Sequence, residues 1–350
     1  MAIVSGAEQT ADHLGLTIRE DLSDVISMIS PYDTPFFSMI GTVAATSTKH
    51  EWVRDSLKAV SSAGALEGDE FSGATLVDPT RTSNYTQILR KDFSVTGTNE
   101  AVTHAGMASQ FSYQMMKALR ELARNTEQAL LCQNDQGNPG EPGDGTTART
   151  MKGLYHNIVD DALNNFIFDC GYATNGGAAG DSTDGTGAPG TSTDTTADNL
   201  TETEFNTLLQ RMWEAGVAPD TVLASPAAKR DITAFAGSSI ARFNVDRNEL
   251  VKNVMRYESD FGTVDVILER FGPVGAASAN GDTGKIAAVT DSQTAFAFER
   301  QHINKAILRP TVAERLPKSG DSERGMVLHE LTLEVGAAGA AGAWVNILND

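Results

Sequence analysis

Phe111-Ser-Tyr-Gln-Met-Met-Lys-Ala-Leu-Arg-Glu-Leu-Ala-Arg-Asn-Thr-Glu-Gln-Ala-Leu130 is the stretch on which the reading of the chain turns. Phe111, Met115, Leu119, Leu122, Thr126 and Leu130 recur at helical spacing, while Lys117, Arg120, Glu121, Arg124 and Gln128 fall on other faces. That is the period of an amphipathic helix. With its flanks the stretch predicts one helix over 99–134, a rod of about 45 Å at roughly 1.5 Å per residue. The glycines and prolines Gly137, Pro139, Gly140, Pro142 and Gly143 close it.

Upstream of the helix, residues 49–98 have the texture of strands. Trp52-Val-Arg-Asp55 reads as an outgoing strand and Asn84-Tyr-Thr-Gln-Ile-Leu89 as its return, running on to Phe93 and Val95. Between them, Ser61-Ser-Ala-Gly-Ala-Leu-Glu-Gly-Asp-Glu70 is too polar and small-sided for a core, so a long hairpin with an irregular tip is expected. A hairpin of this kind is marginal alone in water and needs a surface to pack on, its own body's or a neighbouring chain's. Residues 1–48 read as an arm. Leu14, Leu16, Ile18, Leu22, Val25, Ile26 and Ile29 suggest a short amphipathic helix, which Pro31-Tyr-Asp-Thr-Pro-Phe-Phe37 then breaks. Phe36 and Phe37 have no sequence-local core, so they are expected to dock elsewhere on the chain or on a neighbour.

Downstream, residues 172–199 are dominated by Gly, Thr, Ala, Ser and Asp with no Lys or Arg, and read as a loop or surface insertion. Thr201-Glu-Thr-Glu204 is a capping-box start for a helix carrying Phe205, Leu208, Leu209 and Trp213, stopped near Gly216. A short strand at 221–224, a helix at 226–235 and strands at 264–268, 286–289, 296–298, 306–308 and 327–335 complete the series. Helices and strands mix without a regular βαβ repeat, which indicates the α+β class.

Composition narrows function by exclusion. The chain has 350 residues with 46 acidic and 27 basic side chains, a formal charge of −19. That balance argues against sequence-specific DNA binding and against adhesion to an anionic membrane. The N-terminus lacks the basic and apolar regions of a signal peptide, and the uncharged run at 335–349 is too short to span a bilayer. Cys132 and Cys170 form no CxxC and are expected to be free thiols. Gly185-Thr-Gly187-Ala-Pro-Gly190 matches GxGxxG but has neither the strand nor the helix that a dinucleotide site requires. Asp181, Asp184, Asp194 and Asp198 miss the EF-hand spacing, the six histidines show no HExxH, and Ser225 lies outside any GxSxG. Asn84-Tyr-Thr86 and Asn199-Leu-Thr201 match the glycosylation sequon, without bearing unless the chain is secreted. No catalytic residue, cofactor site or metal site is expected. An arm, a hairpin that needs support and a long helix read as a subunit of a large assembly.

The order of these elements resembles the major capsid proteins of tailed bacteriophages with the Hong-Kong-97-type fold, in the branch typified by the coliphage SU-ten major head protein. The likeness rests on Pro31-Tyr-Asp-Thr-Pro-Phe-Phe37 followed by His50-Glu-Trp-Val-Arg-Asp55, and on Arg81-Thr-Ser-Asn84 with Phe93-Ser-Val-Thr-Gly-Thr98. Glu127-Gln-Ala-Leu-Leu131, Gly143-Asp-Gly-Thr146, Met151-Lys-Gly-Leu154, Tyr257-Glu-Ser-Asp-Phe-Gly262 and Leu308-Arg-Pro310 extend it. Lys318-Ser-Gly-Asp-Ser322 and His329-Glu-Leu-Thr-Leu-Glu-Val335 complete it. The resemblance implies an N-terminal arm (1–48), an extended loop (49–98), a peripheral domain (99–171) with its spine helix at 99–134, a variable insertion (172–199), an axial domain (200–292) and a return to the peripheral domain (293–350). It implies a non-enzymatic protein that assembles as hexamers and pentamers into an icosahedral head around packaged double-stranded DNA, in the bacterial cytoplasm. Its partners would be copies of itself, separate scaffolding and portal proteins, a decoration protein in some heads, and DNA touched non-specifically; no membrane is involved. Phe36, Phe37, Trp52, Arg54 and Tyr85 are the residues expected at contacts between subunits. Some relatives cross-link a loop lysine, and Lys49 and Lys58 occupy that region here, but no such bond is expected. The rival readings are a head-decoration or other phage structural protein, and an enzyme with a dispersed site.

Overall fold

A computed structural model describes residues 33–58, 67–68, 76–104, 106–131, 140–159, 166–170, 199–235, 242–244, 249–251, 255–271, 292–318, 320–337 and 339–348. The helix expected within 14–29, most of the hairpin tip, Cys132, the 172–198 stretch with its GxGxxG and aspartates, and the strand expected at 286–289 lie outside those residues.

In chain order the elements begin with α1 (Pro35–Met39), β1 (Gly41–Ala44), β2 (Lys49–Arg54), β3 (Thr80–Tyr85), β4 (Gln87–Thr96), α2 (Gly97–Ala101), α3 (Gln110–Leu131), α4 (Leu154–Val159) and β5 (Ile167–Asp169). Then come α5 (Glu202–Glu214), β6 (Thr221–Ala224), α6 (Pro226–Phe235), β7 (Arg242–Asn244), β8 (Glu249–Val251), β9 (Arg256–Ser259) and β10 (Gly262–Leu268). β11 (Ser292–Phe298), β12 (Ile303–Leu316), β13 (Ser322–Val335) and β14 (Ala341–Leu348) finish the chain. A four-stranded sheet has the order β1-β12-β13-β4, and a six-stranded sheet the order β5-β14-β11-β6-β10-β9. β2 and β3 form a hairpin of their own. Residues 293–350 therefore serve both large sheets.

The expected long helix is two helices. Gly106 at φ 76° stands between α2 and α3, a backbone state that glycine adopts without strain. The Glu100 carboxylate of α2 then accepts the Ser109 hydroxyl at 2.7 Å and the Phe111 N–H at 3.0 Å, so the first helix caps the second. α3 has 22 residues, about 33 Å, and packs on β4 and β13. Phe111, Leu122, Thr126 and Leu130 face inward as the pattern requires, but Ala118 is buried and Leu119 is exposed, and Glu127 is buried among them.

The expected return strand is likewise two strands in two sheets. β3 pairs antiparallel with β2 from Tyr85↔Lys49 to Thr80↔Arg54, whereas β4 pairs with β13 from Gln87↔Leu331 to Thr96↔Ser322. The switch occurs at buried Thr86, whose N–H donates to Thr48 O at 2.9 Å and whose hydroxyl donates to Glu330 Oε1 at 2.8 Å. Those bonds stand in for the ladder, so the chain changes sheets without orphaned polar groups.

The core lies between the six-stranded sheet and its helices. Thr201 and Glu204 form the capping box that opens α5, which buries Phe205, Leu208, Leu209 and Met212. Trp213 is 56% exposed, against expectation, because at about 100° per residue it falls just outside the edge of that stripe, past Leu209. The run expected to be merely uncharged and short is β14, inside the six-stranded sheet. Its Trp344 is fully buried, stacks on Phe205 at 4.8 Å, and donates through Nε1 to Glu204 O at 3.3 Å. A Cβ at Gly342 would stand 3.0 Å from Leu208 and 3.1 Å from Met212, which explains the small residues there: α5 presses on the strand.

Candidate inter-subunit surface

The β2–β3 hairpin is rooted on the C-terminal end of β13. His50 Nε2 lies 2.8 Å from Glu334 Oε2, and Trp52 Nε1 donates to Val335 O at 2.8 Å. Arg54 donates to the same carbonyl through Nε at 3.2 Å and Nη2 at 2.8 Å. Asn84 is fully buried and uses its whole amide: Nδ2 donates to Lys152 O at 3.0 Å and Leu333 O at 2.8 Å, and Oδ1 accepts the Lys152 N–H and the Tyr85 N–H, each at 2.8 Å. The sequon at Asn84 thus has no amide to offer a glycan. Beneath it, Glu330 is buried and pairs with Arg149 and with Arg309 Nε at 3.0 Å, while Arg149 Nε donates to Thr86 O at 2.5 Å. One carboxylate between two guanidiniums holds the root to β13, to β12 and to the 140–153 segment.

Of the five residues expected at contacts between subunits, three are placed at home. Phe36 is fully buried, edge-on to Phe298 at 5.5 Å, so of the two docking places expected for it, its own chain or a neighbour's, its ring takes the one on its own chain. Trp52 and Arg54 share the Val335 carbonyl. Phe37 is half-buried beneath the Lys305 ammonium, 4.0 Å from its ring centroid, and Tyr85 is half-buried at the hairpin root.

The apolar surface that sequence reasoning missed lies beyond the root. Val53 is exposed, Leu57 is 97% exposed and Leu76 79% exposed, with Val77 beside it. On the sheet side, Met116 and Leu119 stand one helical turn apart on the outer face of α3, and Ile88 is exposed on β4. On the other side, exposed Trp213 contacts Phe261 with ring centroids 6.1 Å apart. Isolated exposed apolar residues are ordinary, but on this hairpin several stand uncovered by the described residues of their own chain. Their signal was present in the sequence as Leu57, Leu76 and Val77 bracketing a polar tip.

The hairpin's charges pair among themselves: Glu51 lies 2.6 Å from Lys49 Nζ and 3.4 Å from Arg81. Glu51 holds the Lys49 ammonium above its ordinary range, which opposes the neutral amine that a cross-linking nucleophile needs. Among the described residues no group of three or more His, Cys, Asp or Glu could hold a metal ion, and no helix is long and apolar enough to cross a membrane.

A hairpin rooted on β13, the long helix α3 packed on that same strand and a second mixed sheet place the fold in the Hong-Kong-97-type class of capsid proteins. The structure aligns with one from Mycobacterium phage Bobi at TM-score 0.56 and 13% identity, covering 97% of this chain and 99% of that one. It aligns with the capsid structure of cyanophage P-SCSP1u at TM-score 0.56 and 12% identity, covering 99% and 97%. Within that class, the SU10 major capsid protein family matches residues 3–348, and the chain belongs to it. The major capsid protein of Escherichia phage Phieco32 is 36% identical over 107 residues, a stretch that spans 30% of this chain and 30% of that relative.

Proposed function

We propose that this chain is the shell-forming subunit of a tailed-phage head, closing as hexamers and pentamers into an icosahedral lattice around packaged double-stranded DNA. The observation that supports it most strongly is the hairpin, whose root is bonded to its own β13 while Leu57, Leu76 and Val77 face outward beyond it. In this reading the tip lies over a neighbouring copy, with Tyr85 and Phe37 near the seam. Residues 200–292 form the axial domain at the capsomer centre, and 99–171 with 293–350 the peripheral domain. Many modest contacts repeated around a closed lattice sum to a stable shell. A charge of −19 per subunit keeps the wall from gripping phosphate, so DNA is contacted non-specifically and slides. Scaffolding and portal proteins act as separate partners during assembly in the bacterial cytoplasm, the role is structural rather than enzymatic, and decoration proteins bind the finished surface.

Gradient sedimentation and electron microscopy of the expressed chain test this. Closed megadalton particles, from the chain alone or together with the phage's other head proteins, support it. A discrete small oligomer under both conditions overturns it in favour of a decoration protein or an enzyme.

A further inference from the structure

Glu127 and Glu269 meet where three lengths of chain converge. Glu127 projects from α3 and is fully buried; its Oε1 accepts the Phe36 N–H at 2.6 Å and its Oε2 the Phe37 N–H at 2.9 Å. Thr34, the residue before α1, makes no side-chain capping bond, so this carboxyl, 91 positions on from Phe36, satisfies the first turn of α1. Glu269 follows β10 and is 3% exposed. Its Oε1 accepts the N–H groups of Arg270 at 2.9 Å and Phe271 at 2.8 Å. Its Oε2 is buried with no donor among the described residues. The two carboxyls interact electrostatically, and with Glu269 Oε2 lacking any N–H or O–H donor among the described residues, ionising both would face two negative charges out of water.

The other charged groups facing the pair are few. Lys305 of β12 donates through Nζ to Phe37 O at 2.5 Å and attracts Glu127. Asp33, before α1, adds negative charge facing Glu269, and the Arg270 side chain is exposed. A metal ion fits this cluster poorly, since both Glu127 oxygens are committed to N–H groups and an ammonium faces the same space.

We propose that Glu127 and Glu269 hold one proton between them, and that this proton fastens the 33–40 segment to α3 and to the end of β10. With it, one carboxyl donates to the other, the orphaned Oε2 is satisfied, and Glu127 keeps both amides. Without it, two negative charges face each other out of water, and relief comes from water entering or from α1 leaving. Burial, with Glu269 beside it, pushes the Glu127 carboxyl up to about 8, and burial raises Glu269 as well. In an opened state both groups ionise in the ordinary carboxylate range. The closed state therefore binds more protons between that range and about pH 8, and opening becomes easier as pH rises through the window and levels off above it.

Hydrogen exchange of peptides spanning 33–40 in the full chain, from about pH 6 to about pH 9.5 and divided by the intrinsic chemical rate, tests this. Protection should fall by up to about tenfold per pH unit until about pH 8 and then level. Glu269→Gln, whose carboxamide donates permanently, should flatten the profile. A flat wild-type profile, or a Glu269→Gln profile as steep as wild type, overturns the proposal. Should that variant fail to fold, infrared difference spectra of the wild type decide: a protonated-carboxyl stretch present at neutral pH and lost at high pH supports a shared proton, and its absence overturns it.

Discussion

Removing the amide of Asn84 should free the hairpin from the body of the subunit. Asn84→Ala deletes four hydrogen bonds at once and leaves Lys152 O, Leu333 O, Lys152 N–H and Tyr85 N–H without that partner at a fully buried site. At roughly 1 kcal/mol net per bond, the cost is about 4 kcal/mol. Since about 1.4 kcal/mol is tenfold, opening of the root should become easier by nearly three powers of ten. Hydrogen exchange of amides in β2 and β3 of unassembled subunits reads this directly, with α5 amides as an internal standard. Asn84→Asp should be no milder: it keeps the acceptor but turns Nδ2 into an oxygen facing two carbonyls. If β2 and β3 amides in Asn84→Ala exchange within about threefold of the parent, Asn84 is not what roots the hairpin.

Three further outcomes are expected. His329 sits between Thr126 Oγ1 at 2.9 Å and Thr311 Oγ1 at 3.2 Å, and burial pushes it down to about 4. Its share of stability is whole above about pH 6.5 and is lost as pH falls toward 4, up to about 3 kcal/mol, so denaturant melts of His329→Gln should show a flatter acid limb than wild type. Gly342→Val should destabilise by about 1–3 kcal/mol through overpacking against Leu208 and Met212, read as a lower thermal midpoint. Replacing Leu57 and Leu76 together by Asp should leave subunit melting within about 0.5 kcal/mol of the parent yet abolish closed particles on gradients.

Elements whose sequence signal is local were legible. The Thr201–Glu204 capping box, the buried stripe of α5 and the two strand-like runs that pair as β2 and β3 each carry their own chemistry within a few residues. What escaped depends on distant partners. β14 opens with Ala341-Gly-Ala343, where α5 leaves no room for a side chain at Gly342, and small residues of that kind carry no strand signal when the helix is not in view. The gap between α2 and α3 hinges on Gly106 and on a cap supplied by Glu100, while the apolar period itself begins only at Phe111 and does not mark where the helix starts. Phe36 was readable as a residue in search of a core, on its own chain or a neighbour's, but the partner that holds its backbone was not, because Glu127 is an acid on a helix and gives no apolar signal. Trp52 and Arg54 were read as offered to a neighbour; the carbonyl that receives them ends a strand some 280 positions on, as the 283- and 281-residue separations show.

The most direct measurement is a cryo-electron-microscopy reconstruction of assembled particles at a resolution that traces the main chain of the hairpin. It should show Trp52 and Arg54 on Val335 of the same chain, and residues 55–79 lying across a different copy with Leu57 and Leu76 covered. A tip folded back onto its own subunit, with those two leucines still facing solvent in a closed shell, would contradict it.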